Sequence, residues 1–185
     1  MRKLKLQMQI TVDGFVAGPG GELDWMTFDM DEKLLSFITH LTDTSDTILL
    51  GRKMTEGFIK YWEHAITQPN SPEHSFAEKM VRMPKVVFSR TIKEVEGQNV
   101  RVENDPIVDA VNRLKSQTGK DIVVYGGATF VSSLIANRLI DELNFFVNPI
   151  AIGRGLQLFS QRTPLTLIAS VGYSSGIVVN TYKPQ

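Results

Sequence analysis

The feature that most constrains this chain is how its short apolar runs end. Thr47-Ile48-Leu49-Leu50 stops at Gly51, Lys85-Val86-Val87-Phe88 stops at Ser89, and Asp121-Ile122-Val123-Val124-Tyr125 stops at Gly126-Gly127. Unbroken apolar runs of this length are strands buried on both faces, the pattern of a parallel sheet between layers of helix. Helical spacing fills the intervals. Leu34, Leu35, Ile38 and Leu41 predict a helix over 31–41, and further helices are expected over 55–62, within 73–81, from 105 through Leu114, and over 129–137. Asp105-Pro106 has the form of an N-cap followed by proline in the first turn. Leu4 to Val12 alternates in period two and is closed by Asp13-Gly14, while 100–102 and 142–147 are two more strands. Beyond Gly155 helical spacing ceases, and 165–171 and 177–182 read as a hairpin turning near Tyr173-Ser174-Ser175-Gly176. The expectation is an α/β fold in one domain, 1–185, with a mostly parallel central sheet, an antiparallel carboxyl-terminal edge and helices on both faces. The polar stretch Gln68 to Glu73 is then an exposed loop rather than a boundary.

Composition removes whole classes of function. Lys plus Arg and Asp plus Glu number 20 each, so the chain has no basic footprint for nucleic acid or anionic membrane. Hydrophobic residues at 42% and charged residues at 22% exclude disordered and fibrous chains. No apolar run reaches the roughly 20 residues of a membrane span. Met1 to Met8 has neither the uninterrupted apolar core nor the small-residue cleavage site of a leader. With no cysteine, disulfides, thiolate metal sites and cysteine nucleophiles are excluded, and a reducing, cytoplasmic setting is expected. His40, His64 and His74 show no metal-ligand spacing, so no metal is expected.

The strand ends are where chemistry can sit. In Tyr125-Gly126-Gly127-Ala128-Thr129 a strand passes through two glycines into a helix, whose first N–H groups suit a phosphate. A plain tight turn has the same composition. It has neither the Gly-x-Gly-x-x-Gly spacing of a dinucleotide turn nor the Gly-Lys-Ser/Thr of a P-loop. Leu50-Gly51-Arg52-Lys53 repeats the plan with two cations, and Phe88-Ser89-Arg90-Thr91 adds hydroxyls and another arginine. If the strands are parallel, the three ends converge on one side of the sheet, where open α/β sheets bind ligands. Together they favour an anionic ligand such as a nucleotide. Asp13 either orients a substrate or forms the turn with Gly14, and Trp25 is either a substrate gate or, with Met26, Phe28 and Met30, part of a core.

In this order, Asp13-Gly14-Phe15-Val16-Ala17, Leu50-Gly51-Arg52-Lys53, Phe88-Ser89-Arg90 and Tyr125-Gly126-Gly127-Ala128-Thr129 resemble the dihydrofolate-reductase-like proteins. Leu139 to Leu143 and Asn148 to Gly155 look like the reductase domain of the riboflavin-pathway deaminase–reductase. The resemblance spans the chain and implies the dihydrofolate reductase fold, NADPH as hydride donor and a homodimer. The interface would take in the terminal strands and the apolar run Phe145-Phe146-Val147. Carried over by position, Gly126, Gly127, Ala128 and Thr129 would hold the pyrophosphate, with Gly126-Gly127 in a cis peptide. Gly51, Arg52, Lys53 and Thr55 would meet phosphates, and Ser89 and Arg90 the adenosine end. Val16 and Ala17 would line the nicotinamide, Asp24 and Trp25 would lie near the substrate, and Asp13 or Tyr125 would supply the proton if a water does not. Two departures stand out. Met54 occupies the position where the family usually has a hydroxyl, with Thr55 displaced by one. The first helix carries acids only at its start (Asp29, Asp31, Glu32) and offers Lys33 where the riboflavin enzymes have arginines. The implied reaction is hydride transfer to a small heterocycle or carbonyl. Its substrate by resemblance is 5-amino-6-(5-phosphoribosylamino)uracil, with dihydrofolate or non-catalytic nucleotide binding as alternatives.

Overall fold

A computed structural model describes residues 1–27 and 30–185; Phe28 and Asp29 lie outside the described residues. In chain order the elements are β1 (Leu4–Thr11), β2 (Phe15–Ala17), α1 (Glu32–Asp43), β3 (Ser45–Gly51), α2 (Arg52–Ala65), α3 (His74–Arg82), β4 (Lys85–Phe88) and β5 (Val100–Glu103). There follow α4 (Ile107–Ser116), β6 (Asp121–Gly126), α5 (Ala128–Ala136), β7 (Glu142–Asn148), β8 (Leu156–Gln157), β9 (Leu165–Gly172) and β10 (Val178–Pro184). Eight strands form one sheet in the order β5-β4-β3-β6-β1-β7-β10-β9. The first six run parallel, and β10 runs antiparallel to both its neighbours, β7 and β9. The expected mostly parallel α/β sheet with an antiparallel terminal edge is therefore the observed one.

Side-chain alternation distributes each strand between two layers. Leu4, Leu6, Leu49, Val86, Ile122 and Val124 pack against Ala110, Val111 and Leu114 of α4 and Val131, Leu134 and Ile135 of α5. The opposite face splits in two. Phe146 and Val179 meet Leu34 and Ile38 of α1, while Ile48, Leu50, Val87 and Val123 meet Met80 of α3 and the half-buried Met54 and Phe58 of α2. Ile48, Leu49, Leu50, Ile122, Val123 and Val124 are fully buried, as strands covered on both faces must be.

Several boundaries differ from the sequence expectation for local reasons. α2 begins at Arg52, three residues early, because Gly51 in an extended conformation acts as its N-cap. Asp105 does not cap α4. The helix starts after Pro106 without a side-chain cap, and the Asp105 carboxylate pairs with Arg113 at 2.9 Å. β2 and β8 form a separate two-stranded ribbon, too short for period-two patterning to reveal. Phe145 and Phe146 of the run expected at an interface are core residues of β7, and Val147 is half-buried.

Lys85 is the one charged residue in the buried run of β4, and it is 3% exposed. Its ammonium donates to the carbonyls of Met80, Val81 and Met83 at 2.8, 2.9 and 2.8 Å. It thus satisfies the open carbonyls at the end of α3 and fastens that helix to the strand it leads into. Lys85→Met keeps the bulk but takes their ammonium donor from the Met80 and Met83 carbonyls, while Val81 keeps the Asn99 amide at 3.1 Å, so it is expected to lower unfolding free energy by about 1–3 kcal/mol. Urea denaturation checks this, with the exposed Lys60→Met as a control expected to change stability by less than about 0.5 kcal/mol.

Candidate functional site

The site assembles at the carboxyl ends of β4, β3, β6 and β1, which lie side by side. Gly51 pairs with Phe88, and Leu50 pairs with Gly126. At the β3 and β6 ends the chain turns directly into α2 and α5. Gly126 and Gly127 have φ of +155° and +87°, values that L side chains rarely adopt. Space is as restrictive as conformation. A Cβ on Gly127 would stand 3.3 Å from the Gly51 Cα, and one on Gly51 would stand 2.7 Å from the Phe130 Cβ. A Cβ on Gly126 would meet the Met54 Sδ at 2.9 Å. The two turns thus touch through their glycines, and both helix N-termini open at one place. There is no cis peptide among the described residues, so the Gly126–Gly127 bond is trans, against the expectation.

Around this junction the expected residues sort into two groups. Arg52, Lys53, Arg90 and Thr129 are exposed, and none of the three cations forms an ion pair with a described residue. Ala128 opens α5 and is half-buried. The hydroxyls, by contrast, are turned inward. Thr55 is buried and donates to the Gly51 carbonyl at 3.1 Å, which corrects its reading as a phosphate ligand. Ser89 accepts from the Thr91 and Ile92 N–H groups, both at 3.1 Å, and so holds its own turn.

Val16 and Ala17 are buried in β2, against the end of β1. Asp13 is fully engaged. It accepts from the Thr11 hydroxyl at 2.6 Å and from the Ile152 and Gly153 N–H groups at 3.1 and 2.8 Å. The Thr11 bond first, and then these backbone donors, hold its carboxyl below the ordinary 3.8. This carboxylate fastens the β1–β2 turn to the loop after β7, and it carries no proton to give near neutrality. Trp25 is buried and donates to the Glu22 carbonyl at 3.2 Å, folding its loop upon itself, while Asp24 is exposed. The Tyr125 ring packs 5.6 Å from Phe58 and its hydroxyl lies 3.3 Å from Thr42 of α1. Burial pushes that hydroxyl up to about 12, so it stays protonated at ordinary pH.

Two features escaped the sequence reading. Asp31 caps α1 through the Leu34 N–H at 2.8 Å and also accepts from the Ser174 hydroxyl and N–H at 2.6 and 2.8 Å. The Ser174 hydroxyl first, then the Leu34 N–H, lower its pKa. The hairpin turn and the start of α1 are thereby joined, with Lys33 beside a groove between them. The second feature is a set of amides on the α1 side of the sheet. Asn148 donates to Gln9 at 2.7 Å and accepts from the Thr27 N–H at 3.2 Å, bringing the loop before α1 onto the end of β7. The period-two pattern Lys5-Leu6-Gln7-Met8-Gln9 was the available signal.

A family model described as the RibD C-terminal domain matches residues 2–179. An uncharacterized protein of Bacillus subtilis, YyaP, is 35% identical over 186 residues, covering 98% of this chain and 94% of that one. A crystal structure of a putative riboflavin biosynthesis protein from Shewanella sp. PV-4 superposes with a TM-score of 0.73 at 20% identity, covering 100% and 99% of the two chains. The dihydrofolate reductase of Enterococcus faecalis, in complex with NADP(H), superposes with a TM-score of 0.61 at 14% identity over 99% and 96%.

Both anchoring carboxylates have depressed pKa values, so the sign of their effect on stability is fixed. Their contribution is complete above the unfolded value near 3.8 and is lost as pH falls through the lower folded value. Hydrogen exchange below pH 3.8 is expected to open the 11–17, 150–155 and 172–176 segments before the central strands. Asp13→Asn and Asp31→Asn are expected to show that opening already at neutral pH.

Proposed function

Since the chain belongs to the RibD C-terminal domain family, we propose that it is an NADPH-dependent reductase that transfers hydride to a small heterocyclic or carbonyl substrate. The observation that carries this reading is the meeting of the α2 and α5 N-termini across Gly51 and Gly127, flanked by Arg52, Lys53 and Arg90. Two positive dipole ends with free N–H groups, beside unpaired cations, match a dinucleotide's phosphates. A Cβ on Gly127 would crowd the Gly51 backbone and one on Gly51 the Phe130 side chain, so bare glycines keep the two helix starts as close together as a shared pyrophosphate would require. The nicotinamide would supply the hydride. Val16, Ala17 and the end of β1 would line its ring and keep water away, and Arg52, Lys53 and Arg90 would take the phosphates and the adenosine end. Asp13 is consumed in its turn, so the proton would come from water or from the neutral Tyr125 hydroxyl. Riboflavin-pathway reduction of the aminouracil ribosyl phosphate is the family's reaction and the first substrate to test, with Lys33 as the cation offered to its phosphate. The lack of cysteine suits the reducing cytoplasm.

Calorimetric titration is expected to show NADPH binding at least about tenfold more tightly than NADH, through charge-assisted contacts to the extra phosphate. Arg52→Ala with Lys53→Ala should erase that preference. Gly127→Val is expected to cost about 1–3 kcal/mol of stability, through its φ and its contact with Gly51, and to abolish NADPH binding in protein that circular dichroism shows is still folded. A folded variant that binds like the wild type would show that the glycines form only a turn. Substrate-dependent loss of NADPH absorbance separates a reductase from a module that merely binds nucleotide.

We also propose a homodimer built on β9. That edge strand carries no charge and no proline, and Leu167, Ile168 and Val171 are 54, 56 and 47% exposed. Edge strands that stay monomeric are usually blunted by such residues. Two copies of β9 pairing antiparallel about a twofold axis would satisfy the open N–H and C=O groups of both edges and set their apolar side chains beside one another across the seam. Light scattering is expected to give a dimer mass at micromolar concentration, and Ile168→Lys a monomer.

A further inference from the structure

β1 lies in the middle of the sheet, between β6 and β7. On the side facing α4 and α5 it is sealed, with Leu4, Leu6 and Met8 at 0, 0 and 7% exposure. On the side facing α1 and α2 it is not. Lys5, Gln7 and Gln9 each keep part of their surface open, although a central strand between helix layers should be covered. α1 and α2 therefore leave this strip of β1 incompletely covered, with these three side chains as its floor.

The two ends of the floor are already satisfied. Lys5 pairs with Asp121 at 2.8 Å and donates to Thr44 at 3.2 Å, and Gln9 accepts from Asn148. Gln7, between them, is different: its carboxamide makes no hydrogen bond with any described residue, and its Oε1 is buried without a partner. The neighbours on either strand do not supply one. Asn144 on β7 is saturated by the Leu6 carbonyl, Glu142 and Thr181, and the Tyr125 hydroxyl on β6 is directed to Thr42. A buried amide oxygen without a partner in the chain must take one from outside it, from water or from a ligand.

We propose that Gln7 is the residue that reads the substrate's ring, pairing its C=O and NH2 with the N–H and C=O of a lactam edge on a neutral heterocycle. The proposal rests on the reductase reading and deepens it. A carboxamide presents an acceptor and a donor side by side, the complement of a lactam. It cannot neutralise a cation. Of the charges beside this floor, Lys5 is matched by Asp121, and Glu142, its register partner on β7, is held by the Asn144 amide, so a protonated diaminopyrimidine ring at Gln7 meets no carboxylate turned toward it, whereas a neutral ring needs none.

The test is equilibrium binding of two probes, the lactam lumazine and 2,4-diaminopyrimidine, to the NADPH-loaded full chain as wild type, Gln7→Leu and Gln7→Glu. Wild type is expected to prefer lumazine, Gln7→Leu to lose about tenfold or more of that affinity, and Gln7→Glu to reverse the preference toward the cation. NADPH affinity is expected to stay unchanged in both variants, which also establishes that they are folded. Lumazine binding equal in all three proteins, or none in wild type that binds NADPH, would overturn the role of Gln7 and leave the reductase reading standing. A wild type that binds no NADPH would instead remove that reading, and this inference with it.

Discussion

The contact between Gly51 and Gly127 is the constraint from which the rest of the strand-end architecture follows. β3 and β6 are neighbours in the sheet, and each turns immediately into a helix on an opposite face. Two such turns can sit side by side only if their backbones approach almost to van der Waals contact; a Cβ on Gly127 would crowd the Gly51 backbone, and one on Gly51 would collide with the Phe130 side chain of α5. Once they do, the first turns of α2 and α5 must open at the same point. Two sets of unbonded N–H groups then point the same way, a field no isolated helix end would generate. The packing reason for the glycines and the proposed binding of phosphate thus share one geometry.

Much of this was legible from residues 47–51 and 121–127. Continuous apolar runs ending in glycine specify buried parallel strands, because no half-exposed strand tolerates an unbroken apolar sequence. The helices followed from spacing, and the terminal hairpin from alternation around Ser174-Ser175-Gly176. The hydroxyls were not legible. Thr55 and Ser89 have the residue type and position of phosphate ligands, yet each satisfies a backbone group of its own turn. A one-residue displacement along a helix moves a side chain by about 100°, so Thr55 is carried from the ligand side to the buried side. Asp105 failed for a comparable reason, since an arginine two turns along α4 competes for it better than the helix's own N–H groups.

β1 shows the other limit. Its polar residues alternate with buried ones, and in isolation that pattern describes a strand with one face in water. The sheet order places β1 at the centre between helix layers, so the same pattern marks instead a strip that those helices leave partly open. Sequence periodicity reports how much of a strand is open. It does not report whether the opening is solvent or a cleft, because that depends on strands added more than a hundred residues later.

The loops around the site obey the same economy. Asp13 joins the β1–β2 turn to the loop after β7, Asp31 joins α1 to the hairpin turn, and Asn148 joins the end of β7 to Gln9 and Thr27. Each of these polar groups looks catalytic by type, and each is fully spent in holding two segments together at the rim. What the rim leaves unspent are backbone N–H groups, three exposed cations and one amide on the floor. A site with these leftovers suits a ligand with an anionic end and a flat neutral end. Among the described residues the carboxylates nearest that floor, Asp121 and Glu142, are engaged by Lys5 and Asn144, so under the proposed function the chemistry comes from the bound cofactor.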